Sequence, residues 1–183
     1  MHVSLDGFVG GPNGEMDWIN ADNEIFEYVS IMNARADMAI YGRKTFEMME
    51  AYWPTAADQP EATGHDIEHG KWYTTVAKVV LSRTMKGDSS GNTQVIKDNV
   101  KEEVSRIKTR PGKQIVIFGS PNATHTLMHH DLVDEYWLFV NPVLLGNGIP
   151  MFRNITERQN MQLIESRKFK SGVVMMHLER KDR

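Results

Sequence analysis

Ala39-Ile40-Tyr41 runs into Gly42-Arg43-Lys44-Thr45, and Ile115-Val116-Ile117-Phe118 runs into Gly119-Ser120-Pro121-Asn122. In both stretches an apolar strand ends at a glycine and helix-forming residues follow. A helix N-terminus leaves backbone N–H groups unpaired and carries a partial positive charge. Two such termini at neighbouring strand ends make a site for a phosphate-rich ligand. Arg43 and Lys44 add cations there, and a guanidinium grips phosphate through two parallel bonds. The same turn also serves as a plain connection in many α/β proteins, so a purely structural reading stands beside the functional one.

The rest of the chain extends this pattern. Val3 to Leu5 reads as the end of a strand, followed by a long glycine-rich loop, Asp6 to Gly14. Ile25, Val29 and Met32 recur at helical spacing and mark a helix over about 21–34, with Asn20 or Asp22 as its cap. Met38 to Tyr41 is a buried strand and Thr45 to Glu50 a short helix. Residues 53–72, broken by Pro54, Pro60 and Gly64, are expected to be the least regular part. Lys78 to Ser82 and Thr93 to Ile96 are strands. Val100, Val104 and Ile107 mark a helix that Arg110-Pro111-Gly112 stops. Gln114 to Phe118 is nearly all apolar, as a strand covered on both faces would be. A helix over 121–130, a strand from Glu135 to Val140 and a hairpin about Lys170-Ser171-Gly172 complete the chain. This order predicts a single domain over 1–183: a three-layer α/β/α fold with a mixed sheet and a C-terminal antiparallel hairpin. Ligands of such sheets sit beyond the carboxyl ends of the strands, where the two glycine turns lie.

Composition narrows the function classes. The 183 residues are 40% hydrophobic and 25% charged, with a net charge of -3. These globular values argue against disorder, and mild acidity argues against a general nucleic-acid binder. With no cysteine there is no disulfide, thiolate nucleophile or thiolate metal ligand, as suits a reducing compartment. No apolar run approaches the ~20 residues of a membrane helix. No secretion signal is read at the N-terminus, so a cytoplasmic location is expected.

Several motifs together carry a family resemblance. They are Ser4-Leu5-Asp6-Gly7, Tyr41-Gly42-Arg43-Lys44-Thr45-Phe46, Val80-Leu81-Ser82-Arg83-Thr84, Phe118-Gly119-Ser120, Leu132-Val133-Asp134-Glu135, and the run from Asn141-Pro142-Val143 to Pro150-Met151-Phe152. In this order the chain resembles the dihydrofolate reductase-like superfamily. The nearest branch is that of the C-terminal reductase domain of bifunctional riboflavin-biosynthesis proteins. The resemblance implies a reductase with NADPH as hydride donor. It implies phosphate binding by Gly42, Arg43, Lys44 and Thr45, and adenosine 2′-phosphate binding by Ser82, Arg83 and Thr84. Gly119 and Ser120 would lie under the pyrophosphate. The branch carries a small residue where this chain has Pro121, which removes one N–H donor and shifts that role toward Asn122 and Ala123. The first strand has only three residues before Ser4, so it is expected to be short or the recorded start to be internal.

Hydride reduction of a ring C=N needs a positioned acceptor and a proton rather than a protein nucleophile. Asp22 lies four residues before Phe26, the spacing of the acid and aromatic that face the pterin in dihydrofolate reductases. Burial would raise the pKa of such an acid and help it deliver a proton. Its structural alternative is a helix-start acid favoured by the dipole. Asp6 matches the riboflavin-branch loop and is a second catalytic candidate, or a turn residue. Phe8 and Trp18 are candidates to flank the ring with Phe26, or else to pack. His65 and His69, and His125 and His129, share the i, i+4 spacing of metal ligands, yet no third ligand accompanies either pair, and no metal is expected. The expected activity is NADPH-dependent reduction of a pteridine- or pyrimidine-like heterocycle, within riboflavin-type chemistry but without the bifunctional partner domain. The alternative is a nucleotide-binding protein of the same fold that lacks the chemistry. Tyr136 to Val140 is apolar on both faces; as an outer strand it would need covering, which predicts a homodimer.

Overall fold

The computed structural model describes residues 1–85 and 91–181. The chain forms two compact units, Met1–Ile25 with Thr124–Arg183, and Phe26–Ala123.

The second unit holds the sequence that decides the fold. Its sheet has four parallel strands in the order β5-β4-β3-β6: β3 (Ala36–Gly42), β4 (Ala77–Leu81), β5 (Thr93–Ile96) and β6 (Gln114–Ile117). Parallel neighbours require crossovers. These are α2 (Arg43–Tyr52), a 3-10 turn (Trp53–Asp58) and α3 (Gly64–Thr75) between β3 and β4, and α4 (Val100–Lys108) between β5 and β6. The core collects Ala39, Tyr41, Phe46, Tyr73, Val76 and Val80. Two expectations need correction. Residues 53–72 are largely helical, because Pro54 sits at the start of the 3-10 turn and Gly64 at the start of α3, where each is tolerated. β6 lies at the end of the strand order and its apolar residues are only half-buried, so its continuous apolar run does not mark a strand covered on both faces.

The first unit carries a mixed sheet in the order β1-β7-β10-β9. β1 (His2–Ser4) runs parallel to β7 (Glu135–Asn141); β7 and β10 (Val174–Arg180), and β10 and β9 (Met161–Lys168), are antiparallel. β2 (Phe8–Gly10), within a stretch read as a loop, and β8 (Ile149–Pro150) form a small ladder of their own. Val3, Val9, Met128, Tyr136, Leu138 and Met151 pack together on one sheet face. β7 is therefore an inner strand, hydrogen-bonded on both sides. The terminal hairpin supplies one of those neighbours, which removes the premise that β7 is an outer strand needing a partner chain. α1 (Asn23–Ala34) and α5 (Pro121–His129) lead from one unit's residues into the other's.

Candidate functional site

The two glycine turns meet. β3 and β6 are parallel neighbours, with Ile40 opposite Ile117, so their carboxyl ends lie side by side. The Gly42 N–H donates to Ser120 Oγ at 2.6 Å. A Cβ on Gly42 would approach that oxygen to 2.6 Å and the Ala123 methyl to 3.4 Å, so only glycine permits this approach. Gly119 and Ser120 both adopt left-handed backbone, with φ of 58° and 60°. For serine this costs of order 1 kcal/mol, which its bond to Gly42 offsets. Pro121 is the first residue of α5, where its missing N–H removes one donor from the helix end. Ala123 is buried against the turn and Asn122 is exposed.

α2 begins immediately at Arg43. Its cap, Gly42, has no side chain to satisfy the first N–H groups, and no acid lies in the first turn. Among the described residues neither a capping side chain nor a first-turn acid compensates the positive end of this helix, as suits an anion site. Lys44 is exposed, Thr45 half-buried, and Arg43 pairs with the exposed Glu47 at 3.4 Å. Leu81 pairs with Gly42, so the next residues, Ser82-Arg83-Thr84, emerge beside the same turn. Ser82 Oγ accepts N–H bonds from Thr84 and Met85, fixing a tight bend on which Arg83 is exposed. A dinucleotide's phosphates fit this arrangement: bare helix N–H groups, a glycine cradle, and three cations.

The remaining sequence candidates each have partners of their own. Asp6 Oδ1 accepts from Ser4 Oγ (2.6 Å) and Leu145 N–H (3.2 Å), and Oδ2 from Gly146 N–H (2.7 Å). These bonds, that of Ser4 foremost, hold its carboxyl below the usual range. Asp22 Oδ1 caps α1 through Ile25 N–H (3.0 Å), and Oδ2 accepts Ser171 N–H (2.9 Å) from the terminal hairpin turn. The Ile25 bond, then that of Ser171, lowers its pKa, opposite to the rise expected from burial. Trp18 donates its indole N–H to Glu15 O, and Phe8 lies half-buried in β2. Phe26 stacks on His65 with ring centres 4.2 Å apart. His65 and His69, read for metal spacing, are instead part of an aromatic cluster with Trp53 and Trp72. The density of histidine and tryptophan between Trp53 and Trp72 was the available signal for it. Among the described residues no group of three or more His, Asp or Glu side chains is arranged to hold a metal ion.

The parallel sheet with paired glycine turns and the mixed sheet closed by a hairpin define the α/β class of this protein. The chain matches the RibD C-terminal domain family over residues 1–175 and belongs to it. It is similar to YyaP of Bacillus subtilis, with 36% identity over 176 residues, 95% of this chain and 89% of that protein. Its fold is dihydrofolate reductase-like. A Shewanella protein assigned to riboflavin biosynthesis superposes with a TM-score of 0.74 at 20% identity, covering 99% of this chain and 96% of the other. Dihydrofolate reductase of Enterococcus faecalis, complexed with NADP(H), superposes with a TM-score of 0.63 at 14% identity, covering 99% and 94%. Among the described residues no helix is long and apolar enough to cross a membrane.

Proposed function

We propose that the chain is an NADPH-dependent oxidoreductase that reduces a small pteridine- or pyrimidine-like heterocycle. Its activity would resemble that of dihydrofolate reductase or of 5-amino-6-(5-phosphoribosylamino)uracil reductase. The observation that carries this reading is the junction of the two glycine turns, where Gly42 N–H meets Ser120 Oγ beside an uncapped helix. NADPH, when bound, supplies the hydride. Gly42, Arg43, Lys44 and Thr45 hold its phosphates; Gly119, Ser120, Asn122 and Ala123 line the pyrophosphate; Ser82, Arg83 and Thr84 hold the 2′-phosphate. Asp22, kept ionised by its backbone donors, accepts an N–H of the heterocycle and orients it. Phe8, Trp18 and Phe26 flank the ring, and Asp6 fixes the backbone at Leu145 and Gly146. The working form is a cytoplasmic homodimer.

Cofactor titration tests the assignment. Losing a charged hydrogen bond to phosphate costs ~1.5–3 kcal/mol, about tenfold to a hundredfold in affinity. NADPH should bind that much more tightly than NADH, and Arg83→Ala should erase the difference. Oxidation of NADPH in the presence of pteridines or riboflavin precursors completes the test. Equal affinity for both cofactors in the unmodified protein would refute the 2′-phosphate site. NADPH binding without turnover of any heterocycle would favour a nucleotide-binding role.

A further inference from the structure

Phe26–Ala123 contains a second cluster that the glycine turns do not use. α1 contributes Phe26, the 3-10 turn Trp53, α3 His65, His69 and Trp72, and the residue directly after β6 is Phe118. The rings form a continuous chain. Phe26 stacks on His65, Trp53 lies 4.1 Å from His69, His69 5.3 Å from Trp72, and Trp72 5.6 Å from Phe118. Phe26, Trp53, His65 and Trp72 are half-buried and form the outer rim of the cluster, whereas His69 and Asn33 are buried, at 6% and 3% exposure. Phe118 directly precedes Gly119, so one end of the rim adjoins the phosphate turn.

The polar atoms here are incompletely matched. Asn33 Nδ2 meets His69 Nδ1 at 3.1 Å, but Asn33 Oδ1, His65 Nδ1 and Trp72 Nε1 are buried with no hydrogen-bond partner in the protein. A buried polar group without a partner is costly, and three in one cluster call for an explanation. The indole N–H donates only, the amide oxygen accepts only, and the imidazole does either by tautomer. Mixed donors and acceptors among aromatic faces suit a planar ring with a lactam or amidine edge.

Charge selects among such rings. Within Phe26–Ala34, the 3-10 turn and α3, the charged residues are Glu27, Asp58, Asp66 and Glu68 against a single Lys71. Asp66 and Glu68 are the charges felt at His65. The N-terminus of α3, which elsewhere would attract phosphate, is closed by its own capping box. Thr63 Oγ1 accepts Asp66 N–H, and the Asp66 carboxylate accepts Thr63 N–H. Burial lowers the pKa of both histidines, that of His69 to about 4, so neither supplies a cation at neutral pH.

We propose that this aromatic rim and its polar floor bind a planar heterocycle that carries no phosphate, neutral or cationic, so that the chain's substrate is not a phosphoribosyl compound. This rests on the reductase reading above for its chemistry, though not for its binding test. Trp53 and Trp72 make the intact protein its own reporter. Tryptophan fluorescence is titrated with a pterin, a 2,4-diaminopyrimidine, and ribosylaminouracil with and without its 5′-phosphate, while NADPH binding is measured separately. The pterin and the diaminopyrimidine are expected to quench the signal. The phosphate is expected to weaken ribosylaminouracil binding at least tenfold. His65→Ala should weaken pterin binding at least tenfold with NADPH affinity unchanged, which also shows that the variant is folded. Equal or tighter binding of the phosphorylated probe overturns the proposal. So does an absence of response to every heterocycle in protein that binds NADPH, an outcome that leaves the reductase reading intact. Pterin binding that His65→Ala weakens, in protein that binds no NADPH, supports the site and overturns the reductase reading instead.

Discussion

Asp22 offers both carboxylate oxygens to backbone donors, Ile25 N–H on its own helix and Ser171 N–H on the terminal hairpin turn. Asn20 Nδ2 adds a bond to Ser171 O, and Lys170 N–H donates to Glu24, so one segment grips the turn through three side chains. In Asp22→Asn one amide oxygen replaces two carboxylate oxygens. The variant should lose about 0.5–2 kcal/mol of stability, the usual range for a damaged cap. If Asp22 also orients the substrate, turnover should fall by roughly 10²-fold, far beyond what that instability explains. Because the native carboxyl titrates below the usual aspartate range, the acid limb of the activity profile should lie below that range too. A limb near pH 6 would assign the titration to another group. His69 gives a separate stability prediction. Its pKa falls from 6.5 unfolded to about 4 folded, chiefly through burial. The unfolded chain therefore binds the extra proton between those values, and stability is lost as pH falls from 6.5 toward 4. The loss amounts to at most about 3 kcal/mol. Urea titrations of the unmodified protein and His69→Gln across this window should show a shallower slope in the variant. Parallel slopes would place the acid sensitivity elsewhere, for instance at His2, which is also held neutral by burial.

At the scale of elements, legibility followed periodicity. α1 and α4 bury residues at regular spacing, and their extents follow from Ile25, Val29 and Met32 and from Val100, Val104 and Ile107. The strand ends at Gly42 and Gly119 were equally plain, because an apolar run meeting glycine has few other meanings. α3 was not legible. Its buried face is His69, Gly70 and Tyr73, while Ile67 is 49% exposed, so a search for aliphatic periodicity finds nothing. The pairing of Asp22 with Ser171 was also hidden, since it joins residues 149 positions apart. Gly70 and Gly64 test this account of α3. A Cβ at Gly70 would sit 2.9 Å from the Trp53 carbonyl oxygen, so backbone must move. Gly70→Ala should lower stability by about 1–3 kcal/mol, as overpacking does. Gly64 meets nothing within 4 Å at the open start of the helix. Gly64→Ala should stabilise by about 0.4–1 kcal/mol through the unfolded chain. Thermal melts should move in opposite directions; a matching loss in both would mean that the helix start, too, is closely packed.

For the whole molecule, the dimer expectation moves from β7 to β9. Strand β7 is flanked by β1 and β10, whereas among the described residues β9 has a strand neighbour on one side only, β10. Seven of the eight residues of β9 are exposed, among them Leu163 at 53% and Ile164 at 46%. An apolar row leads to this edge. Phe152 packs on Tyr136 at 5.6 Å, Tyr136 pairs with Leu178, and Leu178 pairs with Leu163. The row is buried at its centre and exposed at both ends, with Phe152 at 47%. A register shift leaves Ile164 as the extra residue of a bulge, and Arg167 and Lys168 follow it. Bulges and charges of this kind discourage continuation of a ladder. A partner copy is therefore expected to cover the side chains of Leu163 and Ile164 rather than to add a strand. A closed two-fold contact is the commonest way to bury such a patch. Light scattering at micromolar concentration should give twice the mass of the 20.9 kDa chain. Leu163→Lys combined with Ile164→Glu should reduce it to a single chain with NADPH affinity unchanged, because neither residue belongs to the phosphate turns. A single-chain mass for the unmodified protein would refute the dimer. A dimer that survives the double substitution would place its interface away from β9.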